Sequence, residues 1–114
     1  EWNHKSPSCK FRPEPDAVRK EMQVWLDAVE RGLGKRPIIY VTPDFYDENL
    51  KGHFRDYQFF LRTVKEHPKS RYPGQPWTFW QYSGTGSIPG IKGNADMNVF
   101  SGSPAQWKSW LAKH

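Results

Sequence analysis

The sequence predicts one mixed α/β domain, part of a parallel βα barrel whose later helices have shrunk. Three observations carry this reading. From Pro15 to Arg31 and just beyond, the apolar residues Val18, Met22, Trp25, Leu26, Val29 and Leu33 recur at three- and four-residue spacing, the pattern of a helix with one buried face. Next comes Pro37-Ile38-Ile39-Tyr40-Val41, a β-branched run without polar alternation, as expected of a parallel strand covered on both faces. Beyond it, strand-like runs are joined mainly by loops. With 114 residues, about half of the ~250 that a full eight-stranded βα barrel takes, one fold unit is the ceiling.

Each element has local cues. Pro15 and Asp16 suit the first turn of the opening helix, and Gly32 and Gly34 offer stops. Thr42 reads as an N-cap with Pro43 at the first helical position, opening a short helix through about Leu50. Gln58 to Val64 is a second strand and Trp77 to Tyr82 a third, separated by a Pro- and Gly-bearing loop from His67 to Pro76. The stretch Ser83 to Gly90 holds three glycines and a proline and reads as a loop. It is no phosphate cradle, because neither a helix pattern nor a Gly-Lys-Ser/Thr ending follows. Ala95 to Phe100 makes a fourth strand. Ser103-Pro104-Ala105-Gln106 is a capping box, and the helix it opens is expected to bury Trp107, Trp110 and Leu111 on one face. Trp25, Trp107 and Trp110 are all expected in core packing.

Aromatic residues make up 16% of the chain within an apolar fraction of 36%, so the core is built largely from rings and a disordered tail is excluded. No run of ~18 apolar residues exists to cross a bilayer. Glu1 to Lys10 is polar, unlike an export signal. Lys and Arg outnumber Asp and Glu by 17 to 12, a net charge of +5, which favours anionic partners such as nucleic acid, anionic lipid or an acidic cell-wall polymer. The basic residues are spread without a stripe, so solvation and mild steering explain them. Cys9 is the one cysteine and excludes an internal disulfide. His4, His53, His67 and His114 are too scattered for a ligand cluster, and no metal or cofactor is expected.

Three motifs in order, Arg36-Pro37-Ile38-Ile39-Tyr40-Val41-Thr42-Pro43-Asp44-Phe45-Tyr46, Phe79-Trp80-Gln81-Tyr82-Ser83 and Gly90-Ile91-Lys92-Gly93-Asn94-Ala95-Asp96-Met97-Asn98-Val99-Phe100, resemble glycoside hydrolase family 25. These are lysozymes, or N-acetylmuramidases, that cleave peptidoglycan. The resemblance implies an irregular TIM-like βα barrel, of which residues 1–114 are the C-terminal half, about strands five to eight. Family members carry an Asp-x-Glu pair, usually followed by Trp, at the end of the fourth strand. The chain opens Glu1-Trp2, so Glu1 matches the proton-donating glutamate and its aspartate partner is expected upstream. Asp96 matches the active-site aspartate of the last strand. Phe60 stands where members usually have Trp in a Phe-Trp-Leu run, which leaves one sugar-stacking contact weaker or differently shaped.

Such chemistry needs a carboxylic acid to protonate the leaving oxygen and a negative group near the oxocarbenium-like centre. Carboxylates at i and i+2 of a strand share a face, and their repulsion keeps one protonated. The resemblance implies that the 2-acetamido group of the substrate acts as nucleophile, with Asp96 orienting it or tuning its neighbours. Tyr40 and Tyr82 would offer hydroxyls, Trp80 or Phe60 a stacking ring, and Gln81 a sugar contact. The residues alone leave plainer roles open: Glu1 as an exposed terminal carboxylate, Asp96 capping a turn after Gly93-Asn94, Gln81 satisfying backbone groups, Tyr40, Trp80 and Tyr82 packing, Cys9 as a surface thiol or the partner of a cysteine elsewhere.

The function expected is hydrolysis of the β-1,4 bond between N-acetylmuramic acid and N-acetylglucosamine, by an enzyme that is secreted, envelope-bound or a phage lysin, with peptidoglycan strands as partner. The fragment alone is expected to be inactive and prone to self-association. One rival is a non-catalytic peptidoglycan-binding module. The other, a nucleic-acid-binding domain, lacks any stacking-platform motif.

Overall fold

The computed structural model describes residues 13–114. The elements run α1 (Pro15–Leu33), β1 (Ile39–Val41), α2 (Pro43–Phe45) continued by a π-helical segment (Tyr46–Leu50), β2 (Phe59–Arg62), α3 (Pro68–Arg71), β3 (Phe79–Gly86), β4 (Ala95–Phe100) and α4 (Pro104–Lys113). The strands form one sheet in the order β1-β2-β3-β4.

Strands β1, β2 and β3 are parallel, in register through Ile39–Phe59, Tyr40–Phe60 and Phe60–Phe79. Strand β4 runs antiparallel to β3, which departs from the all-parallel expectation. The reason is the connection: residues 87–94 between β3 and β4 are fewer than the ~12 that a parallel crossover takes.

One face of the sheet carries the core. Ile39, Val41, Phe59 and Leu61 pack with Leu26 of α1, with Tyr46 and Leu50 of the π-helical segment, and with Tyr57 and Tyr72. Helix α1 starts at Pro15 and stops at Gly34, whose φ of +67° suits glycine and whose N–H bonds Glu30 O at 2.8 Å. It turns a narrow stripe inward, Leu26 fully and Met22 partly. Trp25 lies one position round the helix from Leu26 and is 62% exposed, so its expected core role is corrected.

Two further expectations change. Strand β3 continues through Ser83 to Gly86, into the stretch whose glycines suggested a loop. Glycine is there for close approach, since a Cβ at Gly86 would run into the Met97 side chain of β4. Helix α4 has its capping box, with Ser103 Oγ accepting from Gln106 N–H and Gln106 Oε1 from Ser103 N–H, but none of its residues is buried and Leu111 faces solvent. Its tryptophans contact the sheet only by their ring faces and edges, as described next.

Candidate active site

The second face of the sheet builds the site in two tiers. In the lower tier Tyr40, Phe60, Phe79 and Phe100 stand side by side across all four strands, with ring centroids 5.3, 5.5 and 5.8 Å apart in succession. Helix α4 closes this tier from the N-terminal ends of the parallel strands. Trp107 and Trp110 meet the Phe79 ring edge-on at 6.0 and 5.3 Å and stack on each other at 5.5 Å. Trp110 Nε1 donates to Gln58 Oε1 at 2.8 Å, satisfying the indole N–H.

The upper tier, at the C-terminal ends of β2 and β3, is polar. Arg62 is the last residue of β2 and is in register with Gln81 of β3, which is in register with Asn98 of β4. A bulge follows, because Ser83 pairs with Met97 while Gln81 pairs with Asn98. Two residues of β3 advance against one of β4, which turns Gly84 to the face of Gln81 and brings it opposite Asp96. A Cβ at Gly84 would lie 3.5 Å from Asp96 Oδ1, 3.8 Å from Gln81 Nε2 and 3.9 Å from Arg62 Nη2. Carboxylate, amide and guanidinium thus surround one small open space.

Gln81 is held in place. It is 4% exposed, and the Tyr40 hydroxyl donates to its Oε1 at 2.5 Å. The Asp96 carboxylate is exposed and, among the described residues, takes part in no ion pair or hydrogen bond. Such a group accepts a donor from a bound molecule without first breaking an internal bond. The structure therefore brings together Tyr40, Phe60, Gln81 and Asp96 of the residues singled out from sequence, and adds Arg62 and Gly84, which sequence reasoning missed.

Trp80 and Tyr82 belong to a different cluster. The Trp80 ring packs on His67, Trp77 and Tyr82 at 5.0, 6.2 and 5.8 Å, and its Nε1 donates to Thr63 O at 2.8 Å. Glu1 lies outside the described residues, as does Cys9. Among the described residues no group of three or more His, Cys, Asp or Glu could hold a metal ion, and no helix is long and apolar enough to cross a membrane. Two hollows, of about 480 Å³ beside Trp110 and His114 and about 310 Å³ between α1 and His53, are not lined by Asp96.

The sequence pattern of glycosyl hydrolases family 25 matches residues 2–91. The chain belongs to that family. Among solved structures, this family 25 chain is similar to a family 25 glycosyl hydrolase from Bacillus anthracis, with a TM-score of 0.75 and 30% identity over 96% of the chain and 50% of the other. It is likewise similar to the bacterial lysozyme from Streptomyces coelicolor, with a TM-score of 0.70 and 25% identity over 89% and 49%. By sequence it resembles the uncharacterized protein YegX of Escherichia coli K12, 38% identical over 97 residues, which are 82% of the chain and 34% of YegX. A 30-residue stretch is 57% identical to Lysozyme M1 of Streptomyces globisporus, 26% of the chain and 10% of that enzyme. The chain thus spans about a third of the length of YegX and half that of the solved relatives.

Proposed function

We propose that the whole protein is a lysozyme, a muramidase hydrolysing the β-1,4 bond between N-acetylmuramic acid and N-acetylglucosamine of peptidoglycan at the cell envelope, as an exported enzyme or a phage lysin. The observation that carries this is the unpartnered Asp96 carboxylate beside Gln81 and Arg62, at the C-terminal end of three parallel strands in a family 25 chain. That end of the strands is where βα barrels build active sites. In this reading the four strands are the second half of an irregular TIM-like barrel, and an upstream half of similar size completes the cleft.

The roles follow from the chemistry. Glu1 protonates the leaving glycosidic oxygen, and the substrate's acetamido oxygen attacks the anomeric carbon in its place. Asp96 accepts the acetamido N–H, which orients the group and stabilises the positive charge it gains. Gln81, held by Tyr40, offers its amide N–H to a sugar hydroxyl, and the Phe60 ring supports a pyranose face more narrowly than the Trp expected there. Trp80 and Tyr82, packed in one cluster with His67, reach substrate at the margin of the cleft.

The test compares this chain with one extended upstream by about one hundred residues, half of a small barrel. The extended protein is expected to clear a peptidoglycan suspension and to leave muramic acid at the new reducing ends, found as muramitol after borohydride reduction. The 114-residue chain is expected to do neither. Equal clearing by both, or glucosaminitol as the product, would overturn the reading.

A further inference from the structure

Three arginines among the described residues are partly buried: Arg19, Arg62 and Arg71. Two of them have an aspartate. Arg19 pairs with Asp16, and Arg71 meets both oxygens of Asp47 at 2.8 and 3.3 Å. Among the described residues Arg62 has no carboxylate within ion-pair distance, although Asp96 lies across the space in front of Gly84. A guanidinium that no carboxylate bonds directly keeps its donors open to an incoming anion. The opening in front of it exists because residue 84 has no side chain. A methyl group there would fit without overlap and would stand in contact with Asp96, Gln81 and Arg62.

We infer that Arg62 is a substrate-binding residue that receives a carboxylate of the glycan, and so favours carboxylate-bearing muramyl strands over neutral N-acetylglucosamine polymers. The inference rests on the muramidase reading above and names the group that reading leaves without a receptor. Arginine suits the task because its planar fork bonds both carboxylate oxygens at once, whereas a lysine offers a point charge. The carboxylate sits on the guanidinium side of the space, because Asp96 Oδ1 bounds the other side and repels it. Two sources present the same chemistry, the lactyl carboxylate of a peptide-free muramyl residue and a carboxylate of the peptide stem.

The experiment measures kcat and KM of the full-length protein on soluble glycan strands in four forms: peptide-bearing and peptide-free with the lactyl carboxylate exposed, each with its carboxylates free or converted to amides. Arg62→Gln is expected to raise KM about 10- to 100-fold, the range for losing a charged hydrogen bond, with kcat nearly unchanged. Amidation of the substrate is expected to raise the wild-type KM to the level of the variant and to leave the variant unaffected. The form on which the wild type loses most upon amidation identifies the source. Arg62→Lys is expected to recover part of the loss. Should Arg62→Gln fail to fold, Gly84→Ala carries the test, since it keeps every charge and is expected to raise KM by obstructing the niche at an unchanged thermal midpoint. An active wild type with KM indifferent to amidation, or Arg62→Gln lowering kcat at constant KM, overturns this inference alone. A wild type inactive on every form overturns the muramidase reading with it.

Discussion

The Tyr40 hydroxyl reaches over β2 to donate to Gln81 Oε1 at 2.5 Å, tying the first and third strands of the sheet through side chains 41 positions apart. The backbone alone joins each strand only to its neighbours, so this bond fixes the amide at the centre of the polar tier. Tyr40→Phe keeps the ring against Phe60 and removes the donor. Because Gln81 is buried, its abandoned acceptor is expected to cost about 1–3 kcal/mol. In a Gln81→Leu background the same change is expected to cost much less. Equal urea midpoint shifts in both backgrounds would show that the bond contributes nothing.

Leu61 and Trp25 make opposite predictions from similar sequence signals. Leu61 is fully buried between β1, β3 and the ring core, so Leu61→Ala is expected to destabilise by ~2–5 kcal/mol. Trp25 stands mostly in solvent, and Trp25→Ala is expected to stay within ~0.5 kcal/mol, as surface changes do. Thermal midpoints of the two variants on one preparation check both.

What could be read from the chain depended on how local the cause was. Ser103 and Gln106 cap α4 through residues three apart, and Thr42-Pro43 opens a helical segment where expected, though Thr42 makes no side-chain cap bond. Trp25 stands outside the core because helical spacing defines a stripe but not its edges, which the neighbouring π-helical segment sets. Gly84 and Gly86 carry a loop signal by composition, yet their backbone is drawn into β3 by pairing with β4, a non-local contact. Arg62 gave no signal at all. Its meaning arises from the register of three strands, from a bulge between Gln81 and Ser83, and from a missing side chain at position 84.

Tyr72 makes alkaline stability measurable. Its ring is fully buried, and burial pushes its phenol above the ordinary value of 10.0; burial raises Tyr46 as well. A raised folded-state value means the contribution is complete below pH 10, where both states keep the proton. As pH rises past 10 the unfolded chain gives up its protons first, so stability falls by at most about 1.4 kcal/mol per pH unit for each such tyrosine. Tyr72→Phe is expected to flatten that slope, while lowering stability at neutral pH because Arg62 O loses its 2.6 Å donor. Urea midpoints measured across pH 8 to 11 check the slope, and an unchanged slope in the variant would refute the assignment.

The chain on its own presents Tyr40, Tyr82, Val99, Trp107 and Leu111 to solvent, and β1 and β4 are edge strands of its sheet. Open strand edges beside exposed rings favour association between copies. The 114-residue chain is therefore expected to form concentration-dependent oligomers and to bind a hydrophobic dye. Sedimentation of a compact monomer that binds no dye would count against it.

In the full-length protein, Glu1 and Asp96 can be separated by what each removal spares. Glu1→Gln keeps the shape of the side chain but has no proton to give. General acid catalysis contributes ~10²- to 10⁴-fold, so turnover is expected to fall by at least that lower bound while muropeptide binding stays nearly intact. Asp96→Asn is expected to cost less, because the residue orients the acetamido group and transfers no proton. Since the Asp96 carboxylate bonds nothing among the described residues, the thermal midpoint is expected to stay put. A purely structural Asp96, capping the turn after Gly93-Asn94, makes the reverse forecast: a lower midpoint with unchanged turnover per folded molecule. Midpoint and turnover on the same preparations tell the two apart. Retention of more than about a tenth of the activity by Glu1→Gln, far above what losing such an acid allows, would show that another group gives the proton.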